Sequence, residues 1–227
     1  MRKWGFIVST VYAFIVIALL IPAGLLIAGD VRFPEFFHDL EELYAQWFLW
    51  VPVFMLIVGQ ATLLFLSVDT SGKRLQPRAP LIRPVIVTSM LLLLMTVAAC
   101  ACAGVAIYGD EPDRKLPGNP VWVFVGMGLV WAGWGVLFYL HARGKTPAAS
   151  QAVKWLLRGS VLELLIAVPC HVIVRRRDDC CAPLATSCGI TTGIAVMLIA
   201  FGPTVLLLYK KRLDAYRAGT KEQPVAP

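Results

Sequence analysis

The chain has 227 residues, of which 58% are hydrophobic and 15% are charged, and its formal net charge at pH 7 is +7. Soluble domains carry about 25% charged residues, so the composition excludes an ordinary soluble protein. The apolar residues gather into blocks of about 20, the length with which a helix crosses a bilayer core of about 30 Å. Lys and Arg residues cluster beside these blocks, where they orient the chain and meet anionic lipid, which argues against a nucleic-acid partner.

The sequence predicts an all-α, polytopic integral membrane protein, in which residues 1–212 form one transmembrane domain. The first apolar block exceeds the roughly 7–15 residues of a signal peptide's apolar region, so we expect an uncleaved anchor. After it, apolar residues of FPEFFHDLEELYAQ recur at helical spacing, which predicts a short interfacial helix. A polar cytoplasmic tail, residues 213–227, is expected to be disordered at its end. The six spans are expected at about 4–28, 47–68, 85–108, 121–141, 155–174 and 189–209.

Two spans carry glycines that favour close packing, because small residues let helix backbones approach each other. In the sixth span, Gly189 and Gly193 are spaced for tight packing against a neighbouring helix. The fourth span is richer still in glycine and tryptophan, so we expect it at the centre of the bundle. Those residues are Gly126, Gly128, Trp131, Gly133, Trp134 and Gly135.

Basic residues are distributed unequally between the two membrane faces. About 15 Lys and Arg residues lie on one side and about 6 on the other, and the richer side faces the cytoplasm. We therefore expect both termini in the cytoplasm of a cell with a bacterial-type inner (plasma) membrane. Arg175, Arg176 and Arg177 are the exception on the outer side. They are interpreted as a contact to lipid headgroups or another anion, or as a solvated block offset by Asp178 and Asp179.

All six cysteines are predicted at the outer face, because the third and fifth spans both run outward. Five residues around the end of the fifth span form a candidate site for a soft metal, Cu or Zn, since thiolate and imidazole suit these ions. Neither of the cysteine pairs has the Cys-x(2–4)-Cys spacing usual in zinc sites. The candidate ligands are Cys170, His171, Cys180, Cys181 and Cys188.

Two other interpretations of the cysteines remain open. One is thiol–disulfide exchange at the N-terminus of the sixth span, where the helix dipole and the arginines favour thiolate. No Cys-x-x-Cys motif supports it. The other is that Cys100 and Cys102, in the segment AACACAG, only pack as small apolar residues, while the rest form structural disulfides.

Glu163 is the second chemical feature, because helical rise places it near the middle of the fifth span. A carboxylate at that depth is costly unless it is paired, so we expect it to face the bundle interior. Cys170, seven residues further on, shares its helix face. Glu163 is interpreted as a proton or ion relay toward the cysteines, or as a group that joins spans by hydrogen bonds. The candidate partners for such bonds are Gln60, Thr88, Thr191 and Thr192.

The sequence carries no Ser/His/Asp grouping, no phosphate-binding glycine loop and no intramembrane histidine pair at haem-ligating spacing, so neither haem nor nucleotide is expected, and whether the chain is an enzyme stays open, with the balance against it. The working hypothesis is a small accessory membrane protein with a Cys/His site at its outer face. The alternatives are a membrane thiol–disulfide redox protein and a non-catalytic subunit that assembles with other membrane subunits.

Overall fold

The structure is a computed structural model that describes residues 2–29, 33–69, 82–109, 120–142, 148–177 and 181–221. Throughout these ranges the regular secondary structure is helical and no strand occurs, which confirms the predicted all-α class. In chain order the helices are α1 (Arg2–Ile15), a π-helix (Val16–Leu20), α2 (Ile21–Ala28), α3 (Phe33–Ala45), α4 (Trp47–Asp69), α5 (Ile82–Tyr108), α6 (Pro120–Ala142), α7 (Ala148–Arg176) and α8 (Ala182–Lys221).

Six of the described helical stretches are long and apolar enough to cross a membrane, in agreement with the six predicted spans. The helix α8 continues to Lys221, so its backbone stays helical through the first part of the polar tail. Residues 222–227 lie outside the described part, and disorder of the tail's end stays a prediction. The candidate spans are Gly5–Ala28, Trp47–Phe65, Ile82–Tyr108, Val121–Ala142, Ser150–Arg176 and Ala182–Phe201.

The first span contains a π-helical turn just before Pro22. Proline has no N–H to donate, so the hydrogen-bond ladder changes register in the preceding turn. The N–H of Ile21 accordingly bonds to the carbonyl of Val16.

The short helix predicted after this span is present as α3, and the Tyr44 hydroxyl at its end donates to the carbonyl of Ile17. Burial raises the pKa of Tyr44 above its ordinary value, which keeps this hydroxyl a donor.

The centre of the bundle is formed by α5, α7 and α8, while α2 packs along α8, α4 packs on α5 and α8, and α1 packs on α4. Side chains from several helices meet there with essentially no exposed surface. Because lipid is as apolar as leucine, this packing gains its stability from close contact between helices rather than from exclusion of water. The fully buried members include Leu63, Leu91, Leu156, Val196 and Ile199.

The helix α6 lies at the edge of the bundle, so the prediction that it is central was wrong. Only 6% of its apolar window is buried. A Cβ on Gly126, Gly128 or Gly133 would meet nothing within 4 Å. Its second half alone is anchored, where Phe138 is fully buried and packs on Trp155 of α7. Glycine permits a neighbouring helix to approach closely but does not itself attract one. In α6 the aromatic contact between Phe138 and Trp155 determines where the helix packs.

Candidate functional site

One face of α7 carries the candidate site. Ser160, Glu163, Ala167 and Val174 follow each other at intervals of three, four and seven residues and are all buried. These spacings place them on one stripe of the helix. Because α7 makes its most extensive contacts with α8 and α5, this stripe faces the interior of the bundle, as predicted for Glu163.

Glu163 is buried without a hydrogen-bond partner. Its side chain is 2% exposed, and neither Oε1 nor Oε2 has a partner among the described residues. An ionised carboxylate in such surroundings costs several kcal/mol unless it is paired. The group therefore requires a proton or a cation in this arrangement.

The predicted hydrogen-bond partners of Glu163 are used elsewhere or stand apart from it. The hydroxyls of Thr191 and Thr192 both donate to the carbonyl of Cys188, at 3.0 and 2.7 Å. This bond back to the preceding turn is common for threonine within a helix. In Gln60 and Thr88, Oε1 and Oγ1 are themselves buried without a partner. None of the four therefore forms a hydrogen bond with Glu163 in this arrangement, and a protonated Glu163 that joins spans stays a prediction.

The glycines of α8 create the space beside Glu163. A Cβ on Gly193 would lie 3.2 Å from Oε2 of Glu163, and a Cβ on Gly189 would collide with Sγ of Cys102. Both contacts are tighter than side chains ordinarily allow, so α7 and α5 reach α8 at these positions only because Cβ is missing. The tight packing predicted for Gly189 and Gly193 is confirmed.

Above Glu163, toward the predicted outer face, three polar side chains follow one another. Cys102 is fully buried, and its thiol lies 3.9 Å from the carbonyl of Thr186. The Thr186 hydroxyl lies 2.8 Å from Nδ1 of His171. The same hydroxyl lies 3.2 and 3.1 Å from the carbonyls of Ala182 and Pro183 in the preceding turn, and the ring of His171 also bonds to the backbone of Ile27. Cys102, within AACACAG, borders this polar series and packs against Gly189.

Thr186 was missed by the sequence reading. It stands three residues before Gly189, which places both on the same face of α8. A polar residue in register with a close-packing glycine is the signal that could have identified it.

Two of the three arginines bind helix ends. Nη1 of Arg177 donates to the carbonyl of Ala106 at 2.6 Å, and Nη1 of Arg175 donates to that of Ala28 at 3.5 Å. These carbonyls belong to the last turns of α5 and α2, where backbone acceptors lack partners within the helix. A cation there also meets the negative end of the helix dipole. This explains why basic residues stand on the predicted outer side.

The described members of the candidate metal set do not come together. His171 bonds to Thr186, Cys170 packs against Ala106 and Val174, and Cys181 is exposed just before α8. Cys188 lies elsewhere on α8, where it borders a small cavity shared with α4 and the first span. Within the described ranges, no three His, Cys, Asp or Glu side chains are placed to hold a metal ion. Cys180 lies outside these ranges, so the five-ligand site stays a prediction.

Cys100 lies apart from Cys102 although only one residue separates them. It is exposed and lines a groove between α5 and α6, with a volume of about 520 Å³. Its thiol and those of Cys102, Cys170 and Cys188 are not joined in disulfides. The five cysteines that the structure describes therefore do not form one cluster, even though they gather near one end of the bundle.

Comparison of the chain with protein-family models, with curated proteins and with solved structures finds no match.

Proposed function

We propose that this chain is a multi-pass protein of a bacterial-type inner membrane in which Glu163 takes up and releases a proton inside the helix bundle. The observation that carries the proposal is the burial of both carboxylate oxygens without a partner. Both termini would lie in the cytoplasm, as the distribution of basic residues indicates. Ionisable residues at this depth in a membrane commonly mark proton or ion pathways.

A proton suits the site better than a metal cation does. A cation needs several oxygen or sulfur ligands around it, and the immediate neighbours of the carboxylate include Leu164 and the backbone of Gly193. The ionisable side chains within electrostatic range of Cys102 of α5, at the same interface, are Glu163 and Cys170 of α7 and Cys188 of α8. In the described part of the chain, no arginine or lysine is among them.

The proton would exchange with the outer face. From Glu163 to His171 the helix rises by about 12 Å, and Cys102 and Thr186 offer polar groups along this distance. On the other side of Glu163, the side chain of Met95 packs closely on Gly159. We assign exchange to the outer side because the series of Cys102, Thr186 and His171 leads there.

Release of the proton would alter the contact between α7 and α8. The carboxylate then carries a negative charge against Gly193 and Leu164, and this charge is stabilised only if water or a cation enters or the helices separate. The protonation state of Glu163 would in this way set how tightly α7 packs on α8. We accordingly assign the protein a proton-dependent conformational step rather than catalysis.

Labelling with a hydrophobic carbodiimide tests the proposal, because this reagent modifies protonated carboxyl groups in apolar surroundings. The full chain is reconstituted in lipid vesicles, treated and analysed by peptide mass spectrometry. We expect an adduct on Glu163 and none on Glu41 or Glu42 of α3. The variant Glu163→Gln should lose the adduct and Glu42→Gln should keep it. A folded protein with no adduct on Glu163 would refute the proposal.

A second candidate function, assembly with another membrane subunit, is favoured by the position of α6. Trp122, Phe124 and Leu129 are among the exposed side chains of its first half. Close packing of a partner helix on the open glycines of α6 would bury this face. Native mass spectrometry after extraction in mild detergent would detect such a partner, and a clean monomer would count against it.

A further inference from the structure

The groove between α5 and α6 has a chemistry of its own, separate from that of Glu163. It occupies about 520 Å³, within the range of about 300–1,000 Å³ that small-molecule sites span. Its walls are almost entirely apolar. The lining includes Leu93, Cys100, Gly104 and Tyr108 of α5, with Val123 and Met127 of α6.

The groove runs along one half of the membrane. Toward the middle of the spans, the indole N–H of Trp134 donates to the hydroxyl of Thr96 at 3.1 Å, which ties α6 to α5. The two helices enclose the groove from Leu93, just before this bond, as far as Tyr108, at the last turn of α5. From Leu93 to Tyr108 a helix rises by about 22 Å. One leaflet with its headgroup region is about as deep, since a whole bilayer measures about 40–45 Å.

The shape of the groove fits one extended hydrocarbon chain. Its volume of about 520 Å³ is spread along about 22 Å of α5, so the groove is long and narrow. An acyl chain of one leaflet has this length and this apolar character.

Positive charge stands at the outer end of the groove. The guanidinium of Arg177 bonds to the carbonyl of Ala106, within one helical turn of Val105 and Tyr108, which line the groove. Arg176 beside it is also exposed. Arginine recognises phosphate oxygens through paired hydrogen bonds.

We propose that this groove binds one acyl chain of an anionic phospholipid from the outer leaflet, with the lipid phosphate beside Arg177. The apolar walls select the chain, the length matches one leaflet, and the guanidinium selects the negative headgroup. This binding does not depend on a proton at Glu163.

Two matched glycine variants test the position of the chain. Gly104→Leu fills the groove, and Gly133→Leu adds the same side chain to α6 at a position that does not line it. Neither substitution meets an obstacle, because a Cβ at Gly104 or Gly133 has nothing within 4 Å. Full-length protein is exchanged into nanodiscs of phosphatidylglycerol or phosphatidylcholine and then released for native mass spectrometry, which counts retained lipid.

We expect the unaltered protein and Gly133→Leu to retain one phosphatidylglycerol, and Gly104→Leu to retain at least fivefold less. Retention of phosphatidylcholine should be at least threefold lower than that of phosphatidylglycerol. Arg177→Gln should abolish this preference, while Arg176→Gln, with the same change of charge, should keep it. Equal retention by the two glycine variants would overturn the groove as the site. Equal retention of the two lipids would overturn the choice of an anionic headgroup.

Discussion

Gly193 of α8 and Glu163 of α7 meet at the point where the two helices approach most closely around the carboxylate. A Cβ on Gly193 would stand 3.2 Å from Oε2 of Glu163 and 3.0 Å from the side chain of Leu164. The missing side chain thus lets an ionisable group be enclosed by backbone. It also couples the chemistry of Glu163 to the distance between two helices.

Gly193→Ala should destabilise the protein by about 1–3 kcal/mol, the usual cost of overfilling a packed interior. The added methyl group has to displace Leu164 or the carboxylate. Denaturant unfolding in detergent micelles measures the effect. Gly126→Ala is the control, since its Cβ points into open space and alanine has the better helix propensity by about 1 kcal/mol. If both variants were equally stable, the tight contact at Gly193 would not exist.

Gly189→Ala should be destabilising by a similar amount, about 1–3 kcal/mol, because the new Cβ collides with Sγ of Cys102. Cys102→Ala removes that sulfur. In the double variant most of the loss at Gly189 should be recovered, which a double-mutant cycle reports as a coupling energy. Simple additivity of the two effects would contradict the contact between Cys102 and Gly189.

Trp155 holds the inner end of α6, since its ring packs against those of Trp134, Phe138 and His141 at centroid distances of 6.1, 6.2 and 5.5 Å. Trp155→Ala should cost about 3–5 kcal/mol, as large-to-small changes at packed aromatic residues do. Trp131→Ala, at an exposed position of α6, should cost less than about 0.5 kcal/mol. Thermal unfolding of the two variants should differ accordingly. Similar midpoints would mean that α6 is not anchored through Trp155.

Thiol labelling checks the orientation of the bundle. In a background without the other cysteines, Cys181 at the start of α8 should react with a membrane-impermeant maleimide added outside intact cells. Lys154→Cys, introduced into a chain with Cys181→Ser, lies near the opposite end of the bundle and should react only after the membrane is opened. The reverse pattern would place both termini outside.

More of the fold than of the candidate site could be predicted from the sequence. Apolar blocks of span length identify transmembrane helices, and the helical spacing of the apolar residues Phe36, Leu40 and Tyr44 predicts α3, because both signals are local. The position of α6 could not be predicted in this way. Its glycines are compatible with a central place, and the ring that holds it at the edge, Trp155, belongs to another helix.

Contacts of the polar residues between helices could not be predicted from local sequence signals either. Burial of Glu163 follows from the cost of a carboxylate in lipid, and the sequence predicted it correctly. Which groups surround it depends on the rotation of α8, which turns Thr186 toward His171 while Thr191 and Thr192 bond back to Cys188. The cysteines were grouped by their height in the membrane, but height does not tell on which side of its helix a thiol lies. For this reason Cys100 is exposed on one side of α5, whereas Cys102 is buried on another.

The most direct test of proton uptake at Glu163 is infrared difference spectroscopy of the reconstituted protein during a pH titration. A protonated carboxyl group in apolar surroundings gives a carbonyl band distinct from that of a carboxylate. The account predicts one such band that disappears as the pH rises, returns as it falls and is absent in Glu163→Gln, while Glu42→Gln retains it. A band that survives Glu163→Gln, or no titrating band in the folded protein, would contradict it.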